Sequence, residues 1–270
     1  MTSLAAAIAR DSRGPCALYI LTDSRITWIE PTERWDAGRK TFGSATSADV
    51  FGYCGDAYFM PMALGQILNM AACGALDLAT ESAKERHSVI LKQLKNSLGR
   101  IATKHVLSMT VFHGARQGKG MKSIFRLWRS TYNPQTKRWS DIELSVADRS
   151  YLAEIDGSGK ATVKKFEAKT NKTAASGTSR AAIHAFCKSL RSGEDPFTGG
   201  APQMVGLWRM GTARQFGYYW KRRFFISGME CVDSTGRKNI DWFNEFFERC
   251  DPETGRRRQG SADHRTSLKR

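Results

Sequence analysis

The sequence predicts an α+β domain in which antiparallel sheets are layered with separate groups of helices. Three observations support this fold class. The chain has 270 residues, a length at which a single hydrophobic core buries most of the apolar surface. Its apolar residues change period, from short runs that indicate strands to recurrences every three or four residues that indicate helices. Strands and helices are clustered rather than strictly alternating, which disfavours a doubly wound parallel sheet.

The first half of the chain is predicted to contain four short strands followed by two helices. The first two apolar runs are separated by residues 10–15, whose composition (RDSRGP) is typical of a hairpin loop. The predicted strands cover 3–9, 17–22, 40–42 and 50–54, and the predicted helices cover 60–72 and 78–104. The chain therefore begins in sheet structure rather than in a leader-like segment.

The second half is predicted to contain further strands around one central helix, with a second helix closing the domain. Aromatic residues at helical spacing in 239–250, with Trp242 and Phe246 among them, predict that the closing helix packs on the core. The predicted strands cover 106–113, 122–130, 142–146, 151–155, 162–168, 203–209 and 216–226, and the predicted helices cover 180–190 and 239–250. Residues 1–250 are thus expected to form one domain.

The basic composition of the chain raises the question of nucleic-acid binding. The formal net charge is +16 and the calculated pI is 9.8, and such surfaces attract polyanions. Lysine and arginine are nevertheless spread along the sequence, without a recognition-helix or RNP-type signature. Nucleic acid is therefore not expected as the main partner. Residues 251–270 are polar and basic and are expected to form a disordered tail.

The sequence lacks the usual signals of a membrane span, a metal site and a bound cofactor. No apolar run approaches the roughly 20 residues of a membrane span, and residues 4–8 are too short for a signal peptide, so no membrane partner and a cytoplasmic location are expected. The cysteines contain no C-x-x-C pair, the histidines lack metal-ligand spacing, and no Gly-rich phosphate loop is present. We expect reduced cysteines, no metal and no cofactor.

Thr2 directly follows the initiator methionine. A small residue at this position is the usual situation for methionine removal, after which the mature chain would begin with Thr2. An N-terminal threonine carries a hydroxyl nucleophile and a free amine on one residue. Since the amine has a reference pKa near ~8, it can act as general base for the hydroxyl. The pattern predicts a candidate nucleophile, although many chains begin with Met-Thr for processing reasons alone.

Polar residues occur where the first strands end. Asp23 follows the second strand, Lys40 begins the third, and Gly55 lies in a glycine turn after the fourth, just ahead of a helix. A backbone N–H in such a turn can point at an oxyanion. If the first four strands are neighbours, the N-terminus, Asp23, Lys40 and Gly55 converge at one end of the sheet. Each residue also has a structural alternative, as a turn residue, a surface charge or a turn glycine.

Taken together, these residues resemble the N-terminal-nucleophile (Ntn) threonine peptidases, the class of proteasome β subunits and of the peptidase subunit of the bacterial ATP-dependent two-component protease. The shared order is the threonine, T-D-S-R at 22–25, the lysine before an apolar residue, and the glycine turn before a helix. Residues 195–200 (DPFTGG) are similar to the family motif D-x-aromatic-[ST]-G-G. The resemblance spans about 2–228 and implies a four-layer αββα sandwich with two antiparallel sheets.

The resemblance also implies roles for individual residues. Thr2 would be the nucleophile, Lys40 would favour the neutral amine and the developing alkoxide, and Asp23 would orient Lys40. The Gly55 N–H would bind the oxyanion. Two further residues would support the nucleophile and one would line the first specificity pocket; these are Asp195, Thr198 and Tyr53, respectively.

Two serines could match the serine that the family places at a Ser-Gly turn ahead of its third helix. Ser158 lies in Gly-Ser-Gly between predicted strands and is interpreted as part of a hairpin turn. Ser176 precedes the predicted helix at 180–190 and is preferred. This choice leaves room for one helix before Asp195, where the family usually has two. The strand-rich segment 114–141 is a further insertion that the resemblance does not explain.

The sequence therefore predicts a threonine-type hydrolase of amide bonds, most simply a peptidase that acts on peptides. A small-molecule amidase on the same fold is the first alternative, because folds of this kind host varied substrates. An inactive proteasome-like scaffold, or a basic nucleic-acid-associated protein, is the second. The resemblance implies self-association into a homo-oligomer; an unfoldase partner is not supported by any residue of the sequence.

Overall fold

A computed structural model describes residues 2–102, 106–233 and 235–268. The described chain has a mixed α/β fold with antiparallel sheets, as predicted. Within these ranges, none of the helices has the length and apolarity of a membrane-spanning segment. The helices are α1 (Phe59–Ala72), α2 (Ala83–Leu98), α3 (Lys160–Thr170), α4 (Ser179–Ser192) and α5 (Arg265–Leu268).

The strands of the described residues form two large sheets and one small hairpin. The hairpin pairs β3 (Ile26–Thr27) with β4 (Arg34–Trp35). The five-stranded sheet has the order β5 (Thr41–Gly43), β6 (Asp49–Cys54), β7 (Met109–Gln117), β8 (Ile124–Asn133) and β9 (Arg138–Leu144). The nine-stranded sheet contains β1 (Leu4–Asp11), β2 (Gly14–Thr22), β10 (Tyr151–Asp156), β11 (Gln203–Trp208), β12 (Arg214–Trp220), β13 (Arg223–Ile226), β14 (Met229–Glu230), β15 (Trp242–Phe243) and β16 (Arg249–Cys250).

The nine-stranded sheet is buried on both faces at its centre. Its main path runs β10-β1-β2-β11-β12-β13-β14, with β15 parallel to β12 and β16 beyond it. Successive side chains of a strand point to opposite faces, so β1 contributes to two cores. Leu4, Ala6 and Ile8 pack towards the five-stranded sheet. Ala5 and Ala7 pack towards the helical side, where small side chains allow α4 to approach closely.

Each sheet carries helices on its remaining face. On the nine-stranded sheet, Ile183 and Phe186 of α4 join the core formed with β1 and β2, as does Val163 of α3. On the five-stranded sheet, α1 and α2 pack over β6 and β7. The second of these helices is capped by Ser82, the residue before its first turn, whose hydroxyl accepts the Glu85 N–H at 3.3 Å.

Two predicted elements are wrong. The strand predicted at 162–168 lies within α3, because Val163, Phe166 and Thr170 recur at helical spacing and bury one face of a helix. The helix predicted at 239–250 is replaced by β15, β16 and turns. Trp242 and Phe243 enter different cores on opposite sides of the sheet, and Phe247 has a φ of 57°, which a right-handed helix does not allow.

Other boundaries also differ from expectation. The second predicted helix is shorter than 78–104, and its last predicted residues lie partly outside the described ranges. The segment 114–141 is ordinary sheet structure that supplies the end of β7, all of β8 and the start of β9. The tail expected to be disordered contacts the domain instead. Its helix α5 places Leu268 against Ala175 and Ala181, and Arg265 pairs with the buried Glu248 at 3.4 Å.

Candidate active site

Thr2, Asp23 and Lys40 meet at one end of the nine-stranded sheet. Leu4 of β1 is paired with Thr22 of β2, so Thr2 precedes one strand where Asp23 follows the other. The Lys40 Nζ donates to Thr2 Oγ1 at 2.9 Å and to Asp23 Oδ1 at 2.9 Å. All three residues are at most 2% exposed. The cluster therefore joins a hydroxyl, an ammonium and a carboxylate away from bulk water.

Four donors converge on the Asp23 carboxylate. Oδ1 accepts Lys40 Nζ and the Ser3 N–H, the latter at 3.1 Å. Oδ2 accepts the N–H groups of Arg25 and Gly199, each at 3.0 Å. Hydrogen bonds to a carboxylate favour its charged form, and they fix its orientation. Asp23 is thus a fixed negative charge that holds the strand end, the lysine and the Gly199 turn together.

The ammonium of Lys40 is subject to two opposing influences. Burial lowers the pKa of Lys40, whereas the adjacent Asp23 carboxylate acts in the opposite direction. The carbonyl oxygen of Arg25 accepts a further hydrogen bond from the same nitrogen. A charged ammonium at this distance can stabilise negative charge on Thr2 Oγ1, and the hydrogen bond between them orients the hydroxyl.

Gln203 positions the lysine through its backbone, and the sequence interpretation missed it. Its Oε1 accepts the Lys40 N–H at 3.0 Å, while its Nε2 donates to the carbonyls of Gly38 at 2.6 Å and Asp23 at 3.2 Å. The side chain is 1% exposed. A buried amide at the start of an otherwise apolar strand, QMVGLW, was the available signal, because such groups are found where they have hydrogen-bond partners.

The segment 195–200 reaches the cluster through its glycine backbone. The hydrogen bonds of Asp195 stay within its own turn: Oδ1 accepts the Phe197 N–H at 3.0 Å and its carbonyl accepts the Thr198 N–H at 3.3 Å. The other carboxylate oxygen, Oδ2, is buried without a partner among the described residues. Thr198 is 5% exposed. The described contacts therefore link this segment to Asp23 through Gly199.

The turn at 157–159 packs directly on the backbone of Thr2. The Gly159 N–H donates to the Thr2 carbonyl at 3.4 Å. A Cβ built on Gly157 would lie 2.0 Å from the same oxygen, so only glycine fits there. Ser158 between them is exposed.

Ser176, which the sequence analysis preferred, is exposed in the turn before α4, and its N–H donates to the Thr173 carbonyl at 3.0 Å. The preference followed from assigning 162–168 to a strand. With α3 in that place, a helix follows Ser158 directly. Two helices, α3 and α4, then separate Ser158 from Asp195, and the apparent loss of one helix disappears.

The remaining predicted site residues are Gly55 and Tyr53. Gly55 has a φ of 98°, and a Cβ there would lie 2.1 Å from the Ser108 carbonyl oxygen, so the turn requires glycine. Its neighbour Cys54 lies under the Gly157 turn, which puts Gly55 at the Thr2 end of the sheet. Tyr53 is 1% exposed and its hydroxyl donates to the Arg39 carbonyl at 3.3 Å; burial raises its pKa. Its ring fills the core instead of lining an open pocket.

The described residues contain no group of three or more His, Cys, Asp or Glu side chains arranged to hold a metal ion. The polar groups described around Thr2 include an ammonium, one carboxylate and backbone amides. This set can activate a hydroxyl and stabilise an oxyanion.

No protein-family model matches the sequence, and no curated protein matches it. Among solved structures, the chain is similar to eukaryotic HslV from Trypanosoma brucei, with a TM-score of 0.47 and 10% sequence identity over 76% of this chain and 99% of that chain.

Proposed function

We propose that the protein is a threonine-type Ntn hydrolase that cleaves amide bonds, with peptides as its substrates. The observation that carries this proposal is the buried contact of Lys40 Nζ with both Thr2 Oγ1 and Asp23 Oδ1. A buried ion pair contributes little to stability, so an ammonium held against a hydroxyl in such a pair favours a chemical role for the lysine. In the same proposal, residues 1–250 form a four-layer αββα domain.

The proposed reaction requires removal of Met1, which lies outside the described residues. The Thr2 Oγ1 then attacks the amide carbon, and the hydroxyl proton passes to the α-amine of Thr2, directly or through one water. Lys40 stabilises the alkoxide, and the Gly55 N–H binds the tetrahedral oxyanion. The protonated amine gives its proton to the leaving nitrogen, which breaks the C–N bond and leaves an ester on Thr2. Water activated by the same amine hydrolyses that ester.

The supporting residues act on the reacting groups indirectly, by positioning the backbone around them. Asp195 and Thr198 would shape the turn that aims the Gly199 N–H at Asp23. We transfer the supporting role of the Ser-Gly turn from Ser176 to residues 157–159, because the Gly157 and Gly159 backbone contacts the Thr2 carbonyl.

A small-molecule amidase remains the second candidate, and Tyr53 is the observation that favours it. Its ring is buried against Phe42, with 6.5 Å between the ring centroids, so the place where the family resemblance implies a specificity pocket is filled. A site with little room there would accept small acyl groups. A panel of amides with small and large acyl side chains separates the two candidates.

The direct test replaces the nucleophile. Thr2→Ala is expected to abolish turnover and covalent labelling by a threonine-directed epoxyketone or boronate, whereas Thr2→Ser retains a hydroxyl and measurable activity. Intact mass of each protein establishes that Met1 has been removed before activity is compared. Undiminished turnover by Thr2→Ala, in protein of the processed mass, would refute the mechanism.

A further inference from the structure

A cavity lies at the end of the sheets opposite Thr2. Its volume is about 380 Å³, and its lining includes Ser47, Leu78, Arg86, Arg116 and Lys119. Ser47 precedes β6, whose last residue, Cys54, lies at the Thr2 end. Because a strand advances roughly 3.3 Å per residue, the cavity is on the order of 20 Å from Thr2. It is therefore separate from the proposed active site.

Arg116 is a largely buried cation that lines this cavity. The residue is 5% exposed. Its Nε donates to the Gly118 carbonyl at 2.9 Å and its Nη1 to the Trp208 carbonyl at 2.5 Å. Within 2–102, 106–233 and 235–268, it forms no ion pair and its Nη2 has no hydrogen-bond acceptor. The Nη2 edge is not sealed from solvent, so it is open to the cavity and available to a ligand.

The neighbouring charges do not neutralise Arg116. Asp49 is the nearby carboxylate, but it is already bound by Arg86 Nε at 2.7 Å and by His113 Nε2 at 2.9 Å. Burial and the Arg86 guanidinium both lower the pKa of Arg116, and the Asp49 carboxylate opposes them only in part. Lys119 is exposed at the rim and adds positive charge, while the exposed Glu81 is the acidic residue of the lining. The cavity floor thus has an excess of positive charge.

The rest of the lining suits the non-ionic part of a small molecule. Leu78 and Met210 supply apolar surface, and Thr46 and Thr212 supply hydroxyl groups. The volume falls within the roughly 300–1,000 Å³ range of small-molecule sites, which are mainly apolar with few charged anchors. A guanidinium with a free edge binds carboxylate and phosphate oxygens well, because its planar donors match their geometry.

We propose that this cavity binds the oxyanion group of a small molecule, a carboxylate or a phosphate, with Arg116 as the buried anchor and Lys119 as a second cationic contact at the rim. The site is independent of the proposed hydrolase activity, since its lining shares no residue with the Thr2 cluster.

Inorganic phosphate and acetate are the probes, titrated into the full chain at constant ionic strength with chloride as the balancing anion. Binding is followed by calorimetry and by backbone amide NMR shifts of residues 116–119. We expect saturable binding of at least one probe with a Kd below about 10 mM, weakened about tenfold or more in Arg116→Gln. Arg191→Gln, which alters a half-exposed arginine paired with Glu245, is the matched control and is expected to bind as the unchanged protein does.

Lys119→Gln provides the second variant if Arg116→Gln does not fold, because Lys119 is exposed; it is expected to weaken binding several-fold. Saturation by phosphate alone identifies a phosphate-bearing ligand, and saturation by acetate alone identifies a carboxylate. The proposal is overturned if neither anion binds saturably, or if binding is the same in the unchanged protein, Lys119→Gln and any folded Arg116→Gln.

Discussion

Acidification is expected to loosen helix α2 from the five-stranded sheet by protonating His87. The Nδ1 atoms of His87 on α2 and His113 on β7 lie 2.8 Å apart. The outer ring nitrogens face carboxylates, His113 Nε2 at 2.9 Å from Asp49 and His87 Nε2 at 3.1 Å from Asp141. Three protons on the four ring nitrogens satisfy every contact: both Nε2–H groups donate to carboxylates, and one Nδ1–H donates to the other Nδ1. The pair therefore holds one positive charge. A fourth proton would place two N–H donors, one on each Nδ1, in contact with no acceptor between them.

The size of the expected loss in unfolding free energy follows from the surroundings of His87. The ring is 5% exposed, stacked on Trp128 at 4.4 Å between centroids. Burial and the His113 charge, only partly opposed by Asp141 and Glu143, lower the pKa of His87 from 6.5 to about 4. Between these values the unfolded chain binds more protons than the folded one, so the free energy of unfolding falls as the pH falls through this window. At ~1.4 kcal/mol for each pKa unit, the full loss is about 3 kcal/mol.

The assay is urea unfolding between pH 7.5 and 4 for the unchanged protein and for His87→Gln, which cannot titrate in this range. Carboxylates elsewhere affect both proteins alike, so the difference between their unfolding free energies reports the protonation of the coupled His87–His113 pair. As the pH falls from 6.5 to 4, we expect the unchanged protein to lose about 3 kcal/mol of unfolding free energy relative to His87→Gln. Amide exchange in α2 is expected to increase over the same window. A difference independent of pH, or an NMR titration midpoint of His87 at or above 6.5, would show the reasoning to be wrong.

Two further predictions concern the Thr2 support and the chain end. Gly157→Ala is expected to reduce turnover more than about tenfold and to destabilise the fold by about 1–3 kcal/mol, because the new Cβ would lie 2.0 Å from the Thr2 carbonyl oxygen. Gly193→Ala, at a similar positive φ with open space around it, is the control for strain alone; equal turnover in the two variants would contradict a contact with Thr2. Leu268→Ala is expected to lower the free energy of unfolding by about 2 kcal/mol, since this side chain is 6% exposed. The exposed Leu107→Ala is its control, and matching melting temperatures would show that the tail does not pack.

Much of the first 60 residues could be predicted because local pattern and tertiary environment agree there. The first strands end in polar residues after buried runs, and Asp23 and Lys40 stand where the sequence pattern placed them, at one end of the sheet. Their chemical roles remain proposals. The glycine turn at Gly55 was likewise visible, since a glycine between a strand and a helix marks a backbone that other residues cannot follow.

The errors came from short segments whose apolar pattern fits two structures. Residues 160–170 contain β-branched side chains that favour a strand, but burial of Val163 and Phe166 on the sheet selects a helix. The aromatic residues at 242–247 have helical spacing, yet pairing with β12 and the positive φ of Phe247 make this segment a strand and a turn. Short-range periodicity cannot distinguish these outcomes, because the deciding contacts are made with distant residues.

By itself the sequence determined the kinds of groups available: a threonine behind the initiator, a carboxylate and an ammonium at strand ends, and glycines where the backbone must turn. Only the tertiary structure decided which of these groups meet. The pairing of Leu4 with Thr22 brings Thr2 to Asp23, and Gln203 fixes the Lys40 backbone. The Gly199 N–H, 176 residues away in the sequence, donates a hydrogen bond to the Asp23 carboxylate. Hydrogen bonds of about 3 Å depend on strand register and packing, which are properties of the whole core rather than of any local segment.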